Sequence, residues 1–192
     1  MLDFGPLHRR EMSVQELASD LTPDDLARLT NEMCDLQLAA IEGASDEDVV
    51  VIPDDPDAKD TFAARPEEVG LSWTLGHVVV HATASSEESA ALALILARGL
   101  PVEGRSRYEV PWERATTVAF IRQRIEESRR MRLGMLAAWP DEPHLDNFYV
   151  PYPGRPAMNA CGRFLGGLAH DDSHLDQMRK IMAQVLQRRP AA

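Results

Sequence analysis

The stretch that decides the fold of this chain reads Phe164-Leu-Gly-Gly-Leu-Ala-His170-Asp-Asp-Ser-His174-Leu-Asp-Gln177-Met-Arg-Lys-Ile-Met-Ala-Gln-Val-Leu186. Apolar residues recur along it at the spacing of one face of an α-helix, which has about 3.6 residues per turn. They are Phe164, Leu168, Leu175, Met178, Met182 and Val185. His170 and His174 lie one turn apart on the flank of this face. Two imidazoles at this spacing can bind one metal ion, although partly exposed, hydrogen-bonded histidines produce the same pattern.

A second pair of histidines with the same spacing occurs in Trp73-Thr-Leu-Gly-His77-Val-Val-Val-His81. Four of the six histidines of the chain therefore form two matching helical pairs. Helical bundles build metal sites from side chains on facing helices. The two pairs together predict a site for a divalent metal ion between two helices.

Length and composition indicate one domain spanning residues 1–192, with 44% hydrophobic and 27% charged residues. The formal net charge of −11 argues against binding to nucleic acid. No apolar run approaches the roughly 20 residues of a membrane span, and the first residues have no signal-peptide pattern. We therefore expect no membrane partner and a cytoplasmic location. Cys34 and Cys161 fit a reducing compartment, and Cys161 is interpreted as a packing residue rather than a nucleophile.

Apolar periodicity and capping signals predict four long helices, at about residues 22–42, 72–98, 116–138 and 157–187. The clearest start is Thr22-Pro23-Asp24-Asp25, which offers a capping hydroxyl, a proline and first-turn carboxylates. Residues 48–52 form the only strand-like run, inside an acidic surface loop. This pattern predicts an all-α four-helix bundle with long inter-helix loops, whose topology stays open because long loops permit crossovers.

Further candidate side chains lie near the predicted inner faces of the helices. Glu88 comes two turns after His81 and is a candidate ligand, orienting partner or general base, unless it lies in solvent at the rim. Arg129 and Arg132 fall on or near the inner face of the third helix, and a buried arginine needs a partner. That partner is either a structural carboxylate such as Glu88 or a bound anionic substrate.

The two histidine segments together resemble the DinB-like superfamily of metal-binding four-helix bundles. Members have a tryptophan early in the second helix, a histidine eight residues later, and a His-x3-His with a nearby glutamine in the last helix. The corresponding residues of this chain are Trp73, His81, His170, His174 and Gln177. The resemblance implies a metal site formed by His81, His170 and His174. His77 would be a neighbour of this site, one turn away.

The tryptophan segment is most similar to the branch of mycothiol-dependent maleylpyruvate isomerases, which often has glutamate at the position of His170. The superfamily resemblance implies a bundle that is often homodimeric and leaves one coordination position of the metal open. Three neutral imidazoles suit zinc, and nickel or iron also fit them.

The preferred functional hypothesis is a metal-dependent transferase or isomerase that acts on a small-molecule substrate with a low-molecular-weight thiol. A metal lowers the pKa of a bound thiol, which makes it nucleophilic at neutral pH. In this hypothesis Glu88 or His77 transfers protons, and Arg132 or Arg129 binds an anionic group of the substrate. The same three histidines also fit a metal-dependent hydrolase, or a non-catalytic bundle that the metal stabilises.

Overall fold

The computed structural model describes residues 1–60, 63, 65–104 and 107–189, and within these residues it contains seven α-helices and no β-strand. The helices are α1 (Gly5–His8), α2 (Val14–Leu17), α3 (Pro23–Ala40), α4 (Asp46–Val50), α5 (Leu75–Ala97), α6 (Val118–Ala137) and α7 (Ala160–Arg188). Two short 3-10 turns, Pro66–Glu68 and Trp112–Arg114, lie in the loops on either side of α5. The prediction of an all-α bundle is confirmed.

The four long helices, α3, α5, α6 and α7, form the bundle. Each begins after a polar residue whose side chain accepts a hydrogen bond from the backbone N–H three residues later, which satisfies one of the free donors of the first turn. These capping residues are Thr22, Thr74, Thr117 and Asn159. The long helices therefore start where the sequence supplies a cap.

The contacts between helices define the topology that the sequence left open. The neighbouring pairs are α3 with α6, α3 with α7, α5 with α6, and α5 with α7. It follows that α3 lies diagonally opposite α5, and α6 diagonally opposite α7. The connections from α3 to α5 and from α6 to α7 must cross the bundle, which only long loops can do.

The core consists of two apolar clusters with a buried polar layer between them along α5 and α6. One cluster contains Leu29, Leu96 and Phe164, and the other contains Val78, Ile121 and Met178. The buried polar residues between them include Ser85, Ser86, Ser89, Ser128 and Arg132. Ser86 and Arg132 form hydrogen bonds to α7, at Gly167 and Asp171, and these contacts constrain how the helices align.

The expectation of a strand-like run at residues 48–52 is wrong, because Asp46–Val50 forms the short helix α4. Ser45 and Asp48 form a capping box, in which each side chain bonds the backbone N–H of the other residue. The apolar run then supplies the single turn that buries Val49 in the core. The capping signal thus outweighs the strand propensity of the valines. No helix within the described residues is long and apolar enough to cross a membrane.

The helices α5 and α7 approach most closely at Gly167. A Cβ atom at this position would lie 2.7 Å from Ser89 Cβ and 3.2 Å from Ser86 Cα. The Ser86 hydroxyl also donates a hydrogen bond to the Gly167 carbonyl oxygen at 3.0 Å. The adjacent Gly166 faces open space, where a Cβ would meet only Arg163 Nη1, at 3.9 Å.

This difference predicts opposite effects for two neighbouring substitutions. We expect Gly167→Ala to lower the free energy of unfolding by about 2 kcal/mol, because the added methyl group forces α5 and α7 apart. Gly166→Ala should raise it by up to about 1 kcal/mol, since alanine favours the helix and meets no clash. Urea unfolding of both metal-free variants measures the difference. Equal effects would show that the helices are not in close contact at Gly167.

Candidate metal centre

The helices α5 and α7 bring three histidines together. The Nε2 atoms of His81 and His170 are 3.3 Å apart. One ring nitrogen from each of His81, His170 and His174 lies within 4.8 Å of the other two. Two nitrogens bound to one tetrahedral zinc ion at about 2.0–2.1 Å are roughly 3.4 Å apart. The three imidazoles therefore need only a small contraction to bind one ion.

Gln177 orients the ring of His174. The Nδ1 atom of His174 is 2.8 Å from Gln177 Oε1, one turn further along α7. Because an amide oxygen only accepts, Nδ1 carries the proton and donates it, which leaves the lone pair of Nε2 free for a metal. The glutamine three residues after the histidine, visible in the sequence, thus sets the tautomer of a ligand.

His81 contacts two charged residues that sequence reasoning missed. Its Nδ1 atom is 2.9 Å from Arg107 Nη2 and 3.5 Å from Glu109 Oε1, and the Arg107 guanidinium also pairs with Glu109. Because a guanidinium only donates, His81 Nδ1 accepts from Arg107 in this arrangement. For Nε2 to bind a metal, Arg107 would have to withdraw and Nδ1 would have to carry the proton and donate it to Glu109. Both residues lie in the loop between α5 and α6, where no periodic signal places them beside His81.

Electrostatics keep these groups in the protonation states that a metal site requires. Burial, together with the neighbouring imidazoles, lowers the pKa of His170 to about 3 and that of His174 to about 4. Burial would raise the pKa of Glu109, but the contacts with His81 and Arg107 outweigh it and hold that pKa at about 2. At neutral pH the site therefore presents the neutral imidazoles of His170 and His174, with a negative carboxylate beside His81.

A family model described as the DinB superfamily matches residues 7–178. The chain belongs to the DinB superfamily. The matched range includes His81, His170 and His174, the three histidines that converge in the structure. Comparisons with curated proteins and with solved structures gave no significant match. Membership of the DinB superfamily accounts for the bundle, and the reaction has to be argued from the site itself.

His77 is in the wall of the site of this DinB-superfamily chain. Its ring is stacked between Trp73 and Trp112, at centroid distances of 4.4 and 5.1 Å. Burial lowers its pKa to about 4, so the ring is neutral at neutral pH. Together with His81 it borders a cavity of about 530 Å³. His77 is therefore next to the three converging histidines but is not one of them. Its role in proton transfer stays a prediction.

Arg132 and Glu88 lie apart from the three histidines. Arg132 Nη1 is 2.7 Å from Asp171 Oδ2, and Nη2 is 2.8 Å from Cys34 Sγ. Only 1% of the Arg132 side chain is exposed, so this contact is a buried structural salt bridge. The partner of Arg132 is Asp171 rather than Glu88. Glu88 is buried rather than in solvent at the rim, and it borders a different cavity, between α5 and α6. The catalytic assignments of both residues thus have no support from their positions.

The remaining candidates are engaged elsewhere. Arg129 pairs with Asp35 at 2.7 Å on the outside of the bundle, away from any substrate position near the histidines. Cys161 is buried, and burial raises the pKa of its thiol to about 11, in agreement with a packing role. Burial also raises the pKa of Cys34, although Arg132 opposes that shift. Neither cysteine is a thiolate at neutral pH.

Removal of Arg132 tests how much the orientation of α7 depends on its ion pair. We expect Arg132→Met to lower the free energy of unfolding by about 3 kcal/mol, because Asp171 would keep a buried charge without its partner. Metal affinity should fall as well, since Asp171 is adjacent to His170. Arg179→Met, which removes an exposed ion pair with Asp176, is the matched control and should change neither quantity. Equal, small effects of both variants would mean that Asp171 is protonated and needs no partner.

Proposed function

We propose that the chain binds one divalent metal ion, most suitably zinc, on His81, His170 and His174. The observation that carries the proposal is the convergence of the three ring nitrogens within 4.8 Å. Their chemistry supports it, because neutral imidazoles are zinc ligands, and nickel or iron also accept them. The hydrogen bond from His174 to Gln177 and the carboxylate of Glu109 beside His81 are the partners that metal-binding histidines commonly have.

We also propose that the metal serves a transfer or isomerisation reaction that uses a low-molecular-weight thiol. A metal with three protein ligands has a fourth position, where it would lower the pKa of a thiol. The cavity of about 530 Å³ beside His77 and His81 provides room for a small molecule at that side. Trp73 and Trp112 supply its aromatic walls, and Glu109 is ionised and so able to accept a proton.

Metal content tests the first step of this proposal. Protein purified without a histidine tag should contain about one metal ion per chain, and His174→Ala should lose it because two imidazoles bind zinc much more weakly than three. His144→Ala, which changes a histidine in the loop after α6, is the control and should retain the metal. Metal retained in His174→Ala, or absent from the wild type after exposure to zinc, nickel and iron, would contradict the ligand assignment.

Turnover assays separate the proposed reaction from the alternatives. The thiol-dependent reaction predicts that metal-loaded protein consumes an electrophilic substrate only when a low-molecular-weight thiol is added, and that His174→Ala abolishes this activity. Hydrolysis of esters or amides without a thiol would favour a metal-dependent hydrolase on the same residues. A metal with no exchangeable fourth ligand, together with a large loss of thermal stability on chelation, would favour a structural site.

The remaining expectations about the molecule are part of the proposal. A homodimer follows from the family resemblance, and a cytoplasmic location fits two free, buried cysteines. The acidic net charge supports a small molecule, rather than nucleic acid, as the substrate.

A further inference from the structure

A second large cavity borders the three-histidine site on the side of His170, whereas the first borders it on the side of His81. It has a volume of about 690 Å³ and lies between the N-terminal segment, the loop before α7 and the first turns of α7. Its lining includes three arginines, Arg10, Arg155 and Arg163, together with His170. Its volume is within the range of about 300–1,000 Å³ that small-molecule sites occupy.

The three guanidinium groups of this cavity have no ion pair within the described residues, although the chain carries a net charge of −11. The two acidic residues in the lining are already engaged. Glu11 pairs with Arg9 at 2.9 Å, and Glu16 accepts a hydrogen bond from the Ser13 backbone N–H at 2.7 Å. The cavity thus has an excess of positive charge in an acidic protein, which attracts anions.

Arg163 supplies a more specific observation. Its Nε atom is buried and has no hydrogen-bond partner in the described part of the chain. A buried N–H group without a partner is costly, and a guanidinium binds a carboxylate through two such groups at once. The Arg163 guanidinium therefore has a donor that the protein leaves unsatisfied, and its Nη1 atom lies beside the open space at Gly166, where a carboxylate would meet it.

The backbone around the cavity is also specialised. Arg10 has a φ of 60°, in the left-handed region that residues with a Cβ rarely adopt, and this conformation places it between α1 and α2. Gly166, in the lining, leaves open the space beside Arg163 that a larger residue would fill. These two features keep the cavity open and lined by arginine.

The two large cavities differ in charge. The one beside His77 and His81 includes four acidic residues, Asp60, Glu68, Glu109 and Glu113, against two arginines. The one beside His170 has three arginines against two acidic residues, Glu11 and Glu16. We therefore expect an anionic group to bind in the cavity beside His170 rather than in the cavity beside His77 and His81.

We propose that the cavity beside His170 is an anion-binding subsite, in which Arg10, Arg155 and Arg163 hold a carboxylate of a small molecule. This inference rests on the proposed function in one respect. The molecule that binds is taken to be the substrate or the thiol of the proposed reaction. The rest of the ligand extends along His170 toward the three-histidine centre. The subsite takes the anion-binding role that the sequence suggested for Arg129 and Arg132, whose guanidinium groups form ion pairs within the protein.

Binding of succinate, a small dicarboxylate, tests the subsite by isothermal titration calorimetry, with metal-free and zinc-loaded protein measured separately. We expect saturable binding to both forms and none of succinamide, its neutral counterpart. Arg163→Gln should weaken succinate binding on the order of tenfold or more, since it removes charged hydrogen bonds. Gly166→Leu should abolish binding by filling the cavity, and Arg122→Gln, an exposed arginine of α6, should leave it unchanged.

Other outcomes would overturn the inference. They are no saturable binding to either form, equal binding by wild type and Arg163→Gln, and binding that occurs only with zinc present and ignores the arginine. Metal content is measured on the same samples and should be the same in Arg163→Gln as in wild type. Wild-type protein that takes up no metal under any loading condition but still binds succinate through Arg163 would refute the proposed metal function and leave the subsite intact.

Discussion

The buried ion pair between Arg132 and Asp171 joins all four long helices at the centre of the bundle. Arg132 belongs to α6 and Asp171 to α7, two helices that lie diagonally opposite each other. Ser86 of α5 approaches Asp171 Oδ1 at 2.7 Å, and Cys34 of α3 lies 2.8 Å from the guanidinium. A charged pair this deep is costly to desolvate and tolerates little displacement, since removal of either partner leaves an unpaired charge. The pair therefore fixes the alignment of the helices more strictly than apolar contacts would.

The orientation of the histidines on α7 follows from this pair. Successive residues of an α-helix point about 100° apart, so the direction of Asp171 determines the direction of its neighbour His170. With Asp171 directed at the centre of the bundle, His170 and His174 face α5, where His81 lies. Gly167 contributes from the preceding turn, because its missing side chain lets α7 approach α5 closely. The arrangement of the three histidines is thus set by buried residues outside the cluster.

Sequence reasoning found the parts of the site that depend on local periodicity. The spacing of four residues placed His170 and His174 on one side of a helix, and the cap residue Thr22 gave the start of α3. It could not pair Arg132 with Asp171, because the two residues are on different helices and no spacing within one helix relates them. The same limit hid Arg107 and Glu109, whose approach to His81 depends on the path of a loop. In the acidic loop, a capping box at Ser45 outweighed a run of valines that favours strand.

The helices provide the ligands, whereas the loops and the N-terminal segment provide the charge around them. Arg107 and Glu109 come from the connection between α5 and α6, Arg155 from the one before α7, and Arg10 from the turn after α1. Two connections, from α3 to α5 and from α6 to α7, cross the bundle, and residues of the first border a cavity together with His174. Substitutions in these segments can change which ligand is attracted to either side of the site without moving the three imidazoles. A bundle whose helices hold the three histidines can in this way vary their surroundings, since the histidines and the charged residues around them come from separate parts of the chain.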